Sequence, residues 1–188
     1  PLTRDELLDY TYCVACCVGM TSARIMGASE ESYPYAIALG HALQMVNIIR
    51  DVAEDCNKSN RIYLPREDMD RFGYTLENLR NGVYSSQLKD LLQYEADLAE
   101  QFFRDAEEEY SRLSPEDKAA LVPAQAMSLI YHTILDKMKA GGFRIFDIRY
   151  RVNTFHKLWL LFRTKLDIDP QSYYDKSKAY YDKLVGFL

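Results

Sequence analysis

Apolar residues recur at three- and four-residue spacing through most of the chain, and strict alternation is scarce. That pattern predicts helices nearly throughout. A first helix is expected from about Thr3 to Met26, with Thr3 as N-cap and Glu6 three residues on, the capping-box spacing. Gly27 and the polar run Ser29 to Ser32 mark a turn. Pro34 suits a first helical turn and opens a second helix reaching about Cys56. Asn57 to Arg61 reads as a polar loop, and Ile62 to Pro65 as extended chain, the state preferred before proline. Short helices follow at Glu67 to Phe72 and after Thr75. A long amphipathic one spans Ser85 to Leu113. Ser114-Pro115 opens a helical region closed by Gly141-Gly142, and further helices are expected at Thr154 to Thr164 and from Pro170 onward.

The expected class is therefore all-α. No internal repeat and no linker divides the pattern. At 188 residues, the length suits one domain with a sizeable core. Residues 1–166 read as the body of that domain and 167–188 as a Tyr-rich tail.

Composition narrows the function. Asp and Glu number 28 against 23 Lys and Arg, a formal net charge of −5, which argues against a general nucleic-acid binder. No apolar run is long enough to span a bilayer. Of the four cysteines, Cys13, Cys16 and Cys17 crowd one apolar stretch, and Cys56 stands apart. The C-x-x-C pair lacks a second pair at zinc-site spacing, so buried thiols in a reducing compartment are the expectation. The chain begins Pro1-Leu2-Thr3-Arg4 without Met, as a piece of a longer protein would.

The second helix carries the candidate chemistry. At 100° per residue, Gln44, Asn47, Arg50, Asp51, Glu54 and Asp55 share an arc of about 140°, with Met45, Ile49 and Val52 opposite. Asn47, Asp51 and Asp55 fall at i, i+4 and i+8, so their side chains stack along one line. Mid-helix Asp costs roughly half a kcal/mol relative to Ala, and like charges one turn apart cost a few tenths more. A hard divalent cation taking oxygen ligands would offset this, and Mg²⁺ takes one or two protein carboxylates together with phosphate oxygens. Arg50 could hold a diphosphate oxygen. The plainer reading is a solvated face with Arg50 and Glu54 as an i, i+4 pair.

The stretch Ala42 to Asp55, continued by Arg61-Ile62-Tyr63-Leu64-Pro65, resembles the second Asp-rich motif of the squalene/phytoene synthase family. Tyr10 to Gly19 is similar to that family's Tyr-rich segment. Ile130-Tyr131, Gly142 to Arg149 and Lys157-Leu158 resemble its C-terminal signature, closest to bacterial presqualene diphosphate synthases of hopanoid biosynthesis, with phytoene synthase next. The match runs in order from about Leu2 to Phe162.

This resemblance implies the all-α class I isoprenoid synthase fold and Mg²⁺-dependent head-to-head joining of two prenyl diphosphates through a cyclopropylcarbinyl diphosphate. By position, it makes Asn47, Asp51 and Asp55 the metal site, with Asp51, Asp55 and Tyr10 catalytic. Tyr10 is the candidate for proton transfer, and a diphosphate oxygen is the competing base. Gln44, Arg50 and Arg61 match positions near the diphosphate, Tyr131 and Arg149 match substrate contacts, and Val14 and Val18 would line the prenyl channel. The partner is a prenyl diphosphate, in a cytoplasmic protein with room for peripheral membrane contact.

Two departures stand out. Cys16 occupies a position where the family has Gly, which puts close helix approach there in question. The first Asp-rich motif is not found: Asp5 to Asp9 has D-x-x-x-D spacing but belongs to the Tyr helix, and reads as a solvated first turn suited to the helix dipole. The chain is thus expected to be the C-terminal two-thirds of an enzyme, with little turnover alone. The leading reading is condensation of two farnesyl diphosphates to presqualene diphosphate, perhaps on to squalene. Phytoene synthase acting on geranylgeranyl diphosphate is the alternative within the class. A non-catalytic relative acting in assembly is the alternative outside it.

Overall fold

A computed structural model of the chain describes residues 1–153, and among them helices are the only regular elements. Helix α1 (Arg4–Thr11) opens on the expected capping box, with Glu6 N–H donating to Thr3 Oγ1 and Thr3 N–H to Glu6 Oε2. The expected continuous helix is interrupted by one π turn (Tyr12–Cys16) and resumes as α2 (Cys17–Ile25). After a 3₁₀ turn (Glu30–Ser32) comes α3 (Tyr33–Ser59), with Pro34 in its first turn as predicted. It runs past Cys56, so most of the predicted polar loop is helix. Asn60, at φ 49°, supplies the left-handed stop instead, a conformation Asn tolerates better than most residues.

Short helices α4 (Arg66–Phe72) and α5 (Leu76–Arg80) follow, the second capped by Thr75 as expected. The long amphipathic helix α6 (Ser86–Ser111) buries Leu88, Leu91, Leu92, Ala96, Ala99 and Phe103. Its acidic end is solvated: Glu107 and Glu108 are exposed, and Arg112 pairs with Glu108 and Glu109. The region opened by Ser114 is two helices, α7 (Pro115–Ala120) and α8 (Val122–Ala140). Helices predicted beyond Thr154, the boundary at residue 166 and the Tyr-rich tail all lie outside the described residues.

Helix α3 is the axis of the bundle. It packs along α6 on one flank, the π turn and α2 on another, and α8 on a third. Met45, Ile49 and Val52 are buried, as the periodicity requires. The crossing with the π turn is unusually close: a Cβ built on Gly40 would stand 2.8 Å from Cys16 Cα. Helix approach is therefore kept, with Gly40 supplying on α3 the space that Cys16 does not leave. The Cys16 Sγ lies 3.2 Å from Ile37 O, and burial pushes its thiol up to about 11, making it an inert packing group. Cys56 is buried too, but Cys13 and Cys17 are exposed, against expectation. They sit on the outer side of the helix that presents Cys16 inward.

Candidate diphosphate and metal site

The polar arc of α3 survives folding as a half-buried strip, since Gln44, Asn47, Arg50, Asp51, Glu54 and Asp55 are all partly exposed. Asn47 Nδ2 donates to Gln44 Oε1 at 3.3 Å, which leaves the Asn47 carbonyl oxygen to accept. Arg50 does not pair with Glu54. Its Nε donates to Asp51 Oδ1 at 2.9 Å and its Nη2 to Asp51 Oδ2, a two-pronged contact between neighbours. Glu54 instead takes Lys58 Nζ at 2.8 Å and Arg149 Nη1 at 3.1 Å.

That last contact brings the C-terminal signature onto the strip. Gly142 and Phe143, both at positive φ, turn the chain back after α8. An aromatic residue rarely adopts this conformation, and Phe143 is 2% exposed, so packing holds it there. The turn carries Arg149 to Glu54. Tyr131, on α8, also acts on the Arg50 guanidinium. The hydrogen bond to Asp51 is the main reason that guanidinium is held more firmly protonated, ahead of the opposing effect of burial.

The far end of the strip is closed by Tyr10 and Tyr63. Their rings stack at 4.8 Å between centroids, and Tyr10 Oη donates to Tyr63 Oη at 3.2 Å. Burial first, then this hydrogen bond, pushes the Tyr10 phenol up to about 12. Arg61 acts on Tyr10 and on Asp55 alike, and its backbone N–H caps α3 through Asp55 O at 3.0 Å. Tyr63 is the member of this group that reading the sequence left unassigned. Its place inside Arg61-Ile62-Tyr63-Leu64-Pro65 was the available signal.

Val14 and Val18 behave differently from Tyr10. Both are exposed, at 42% and 58%, whereas Tyr10 is half-buried. The π turn between Tyr10 and Val18 breaks the straight i, i+4, i+8 stack expected of a continuous helix. With Tyr12 and Ile25 they leave apolar side chains of the π turn and α2 uncovered by the described residues. Asp5 and Asp9 are exposed as predicted.

As a donor set the strip suits a hard cation. Asn47, Asp51 and Asp55 offer oxygens only, all on one line of one helix. Burial, then the neighbouring charges of Asp51 and Glu54, push the Asp55 carboxyl up, against the pull of Arg61 and Arg50. Arg50 already pairs with Asp51, and Lys58 and Arg149 with Glu54, so a divalent ion would chiefly relieve Asp55 and compete with Arg50 for Asp51. The residues present fit such an ion.

Residues 1–156 match the sequence profile described as Squalene/phytoene synthase. The chain belongs to the squalene/phytoene synthase family. It is 37% identical over 172 residues to a 15-cis-phytoene synthase of Synechocystis, covering 85% of this chain and 50% of that protein. It is 35% identical to a phytoene synthase of Arthrospira platensis over 173 residues, covering 85% of this chain and 55% of the other. Among solved structures, a dehydrosqualene synthase in complex with ligand superposes with a TM-score of 0.72 at 31% identity, over 88% of this chain and 57% of that one. The squalene synthase HpnC from Alicyclobacillus acidocaldarius superposes with a TM-score of 0.67 at 27% identity, over 76% and 53%. The helical fold is thus the isoprenoid synthase fold of these prenyltransferases. The chain spans about half the length of the relatives it matches.

Proposed function

We propose that this chain is the part of a squalene/phytoene synthase that carries the second metal site, and that the intact enzyme joins two prenyl diphosphates head to head. The observation that carries the reading is convergence. Segments more than a hundred residues apart in sequence, holding Tyr10, the α3 acids, Arg61, Tyr131 and Arg149, meet on one polar strip of α3.

In this reading Asn47, Asp51 and Asp55 hold Mg²⁺, which would neutralise the charge that builds on a departing diphosphate. Arg50 turns from Asp51 to a diphosphate oxygen, with Gln44 and Arg61 beside it. Tyr131 and Arg149 close the strip from the C-terminal side. A Tyr10 phenol that loses its proton only near pH 12 is a poor terminal base at neutral pH. Tyr10 therefore acts as a relay: its oxygen takes the proton released as the cyclopropane closes while its own O–H proton passes through Tyr63 to the released diphosphate, the final acceptor. Val14 and Val18 face the apolar chains of the substrates and keep water from the cation.

In this reading these 188 residues, which span about half the length of the relatives they match, turn over little on their own. The names of the relatives favour phytoene synthesis from geranylgeranyl diphosphate. The C-terminal signature and the likeness to dehydrosqualene and squalene synthases favour farnesyl diphosphate and presqualene diphosphate as the second reading. Calorimetry of inorganic diphosphate binding to the intact gene product tests the shared core of both. Binding should require Mg²⁺ and be lost in Asp51→Ala. Equal binding by the variant would favour a non-catalytic, assembly role.

A further inference from the structure

On the side of α8 next to Tyr131, a second charged group lies between helices. His132 Nε2 lies 2.9 Å from Glu100 Oε2 on α6, and its Nδ1 lies 3.4 Å from Asp136 Oδ2, one turn on in α8. Lys139 Nζ lies 3.2 Å from the other oxygen of Glu100. The imidazole ring stands edge-on to Phe103 of α6 at 5.0 Å between centroids. Glu100 and His132 are each about 15% exposed at the side chain, so water does little to screen them.

Glu100, His132 and Asp136 have the composition of a metal site. The geometry selects a proton instead. One ligand atom from each of the three lies within 4.8 Å of the others, but each carboxylate sits on a different ring nitrogen, an arrangement that a proton on each nitrogen satisfies. The Lys139 ammonium already stands on Glu100. A neutral ring has one N–H and would present a lone pair to one of its two carboxylates. Only the imidazolium donates to both.

We propose that His132 is a permanent cation at neutral pH, a pin between α6 and α8 that positions the adjacent Tyr131 against Arg50. Helix α8 packs on α3 and α6, and its C-terminal half presents His132 and Lys139 to Glu100 of α6 while burying Ile134, Leu135 and Met138. Burial pulls the imidazole down, but the hydrogen bonds to Asp136 and Glu100 outweigh it and carry it to about 9. Burial pushes the Glu100 carboxyl up, but His132 and Lys139 together outweigh it and draw it down to about 2. Among the described residues, the charged groups acting on the ring include Glu100 of α6 and Asp136 of α8, with Lys139 of α8 on the far oxygen of Glu100. His132 is a positioning residue: it contacts Glu100, Asp136 and Phe103. Its importance for diphosphate binding rests on the function proposed above, but the pin itself can be measured without substrate.

The test is a pH titration of the chain with ¹⁵N-labelled histidine, following both ring nitrogens of His132, with Arg50 Cζ observed by ¹³C in the same samples. Both nitrogens should be protonated at pH 7.5, with a midpoint near 9. Glu100→Gln should lower that midpoint by about one unit or more. Arg50 Cζ should shift with the same midpoint, and the inflection should vanish in His132→Gln. If that variant does not fold, Glu100→Gln decides, because the Arg50 inflection must then move with the lowered midpoint. A neutral tautomer at pH 7.5, an Arg50 signal indifferent to the His132 titration, or one equivalent of Zn²⁺ displacing the ring protons would each overturn the proposal. Because no substrate enters, a failed diphosphate assay would leave this result standing, and the reverse holds too.

Discussion

Gly40 and Cys16 touch backbone to backbone across the α3 crossing, and a single methyl group at Gly40 would lie 2.8 Å from Cys16 Cα and 2.9 Å from its nitrogen. Those atoms belong to main chain and cannot swing aside. Gly40→Ala should therefore destabilise the chain by about 1–3 kcal/mol, the usual cost of overpacking, measured as a fall in Tm or in the denaturant midpoint. Cys16→Ala removes only a thiol and should cost less. The reverse ranking would mean that α3 and the π turn can separate cheaply.

Arg4 and Glu95 form the tie that seats the Tyr10 helix. Glu95 is 1% exposed inside α6 and takes Arg4 Nη2 at 2.8 and 3.0 Å, while the same nitrogen lies 2.6 Å from Asp68. Burial pushes the Glu95 carboxyl up, and Arg4 opposes it. Arg4→Met leaves that carboxylate without its cation and should cost about 3 kcal/mol at neutral pH. The sign with pH follows. Without Arg4 the Glu95 carboxyl rises further, so the penalty is largest when it must ionise and shrinks as pH falls. Denaturant unfolding of the variant at pH 5 and pH 8 reads this directly, and an equal penalty at both would contradict it.

Tyr63→Phe should bring the Tyr10 phenol down from about 12, because it removes the hydrogen bond that adds to burial in holding the proton. The ring stack survives, so stability should change little. Titration of ¹³C-labelled tyrosine separates the two effects. A Tyr10 midpoint unchanged in the variant would leave burial as the whole cause.

Asp55→Asn should stabilise the metal-free chain slightly, by a few tenths of a kcal/mol, since it removes like-charge contacts with Asp51 and Glu54. The same substitution should weaken the combined binding of Mg²⁺ and inorganic diphosphate to the intact protein about tenfold or more. Thermal melts with and without Mg²⁺ should therefore cross. Melts that fall together in both conditions would mark Asp55 as structural.

Much of this was legible along the chain. Thr3, Pro34, Thr75 and Ser114 each sit at a helix start as capping chemistry and proline geometry require, and the 3.6-residue period placed Met45, Ile49 and Val52 inward. The strip of α3 could be drawn from spacing alone. What local pattern could not contain was partner choice. Arg50 sits on Asp51 and not on Glu54, because Arg149 and Lys58 already hold Glu54. Neither the π turn that shifts Val14 and Val18 out of line with Tyr10 nor the inward face of Cys16 has a signature in spacing. Cys16 meets Gly40 of α3 at close quarters, a contact that only the folded chain forms. The Arg4–Glu95 tie and the His132 group join residues 91 and 32 positions apart, and only the assembled bundle brings them together.

The central claim is that the strip on α3 serves a head-to-head prenyl transfer. Its most direct test is the product formed by the intact gene product from labelled geranylgeranyl or farnesyl diphosphate with Mg²⁺. The account predicts a condensation product of two identical substrates, with loss of inorganic diphosphate, falling about a hundredfold or more in Asp51→Ala. No condensation of either substrate, or the same rate in wild type and Asp51→Ala, would contradict it.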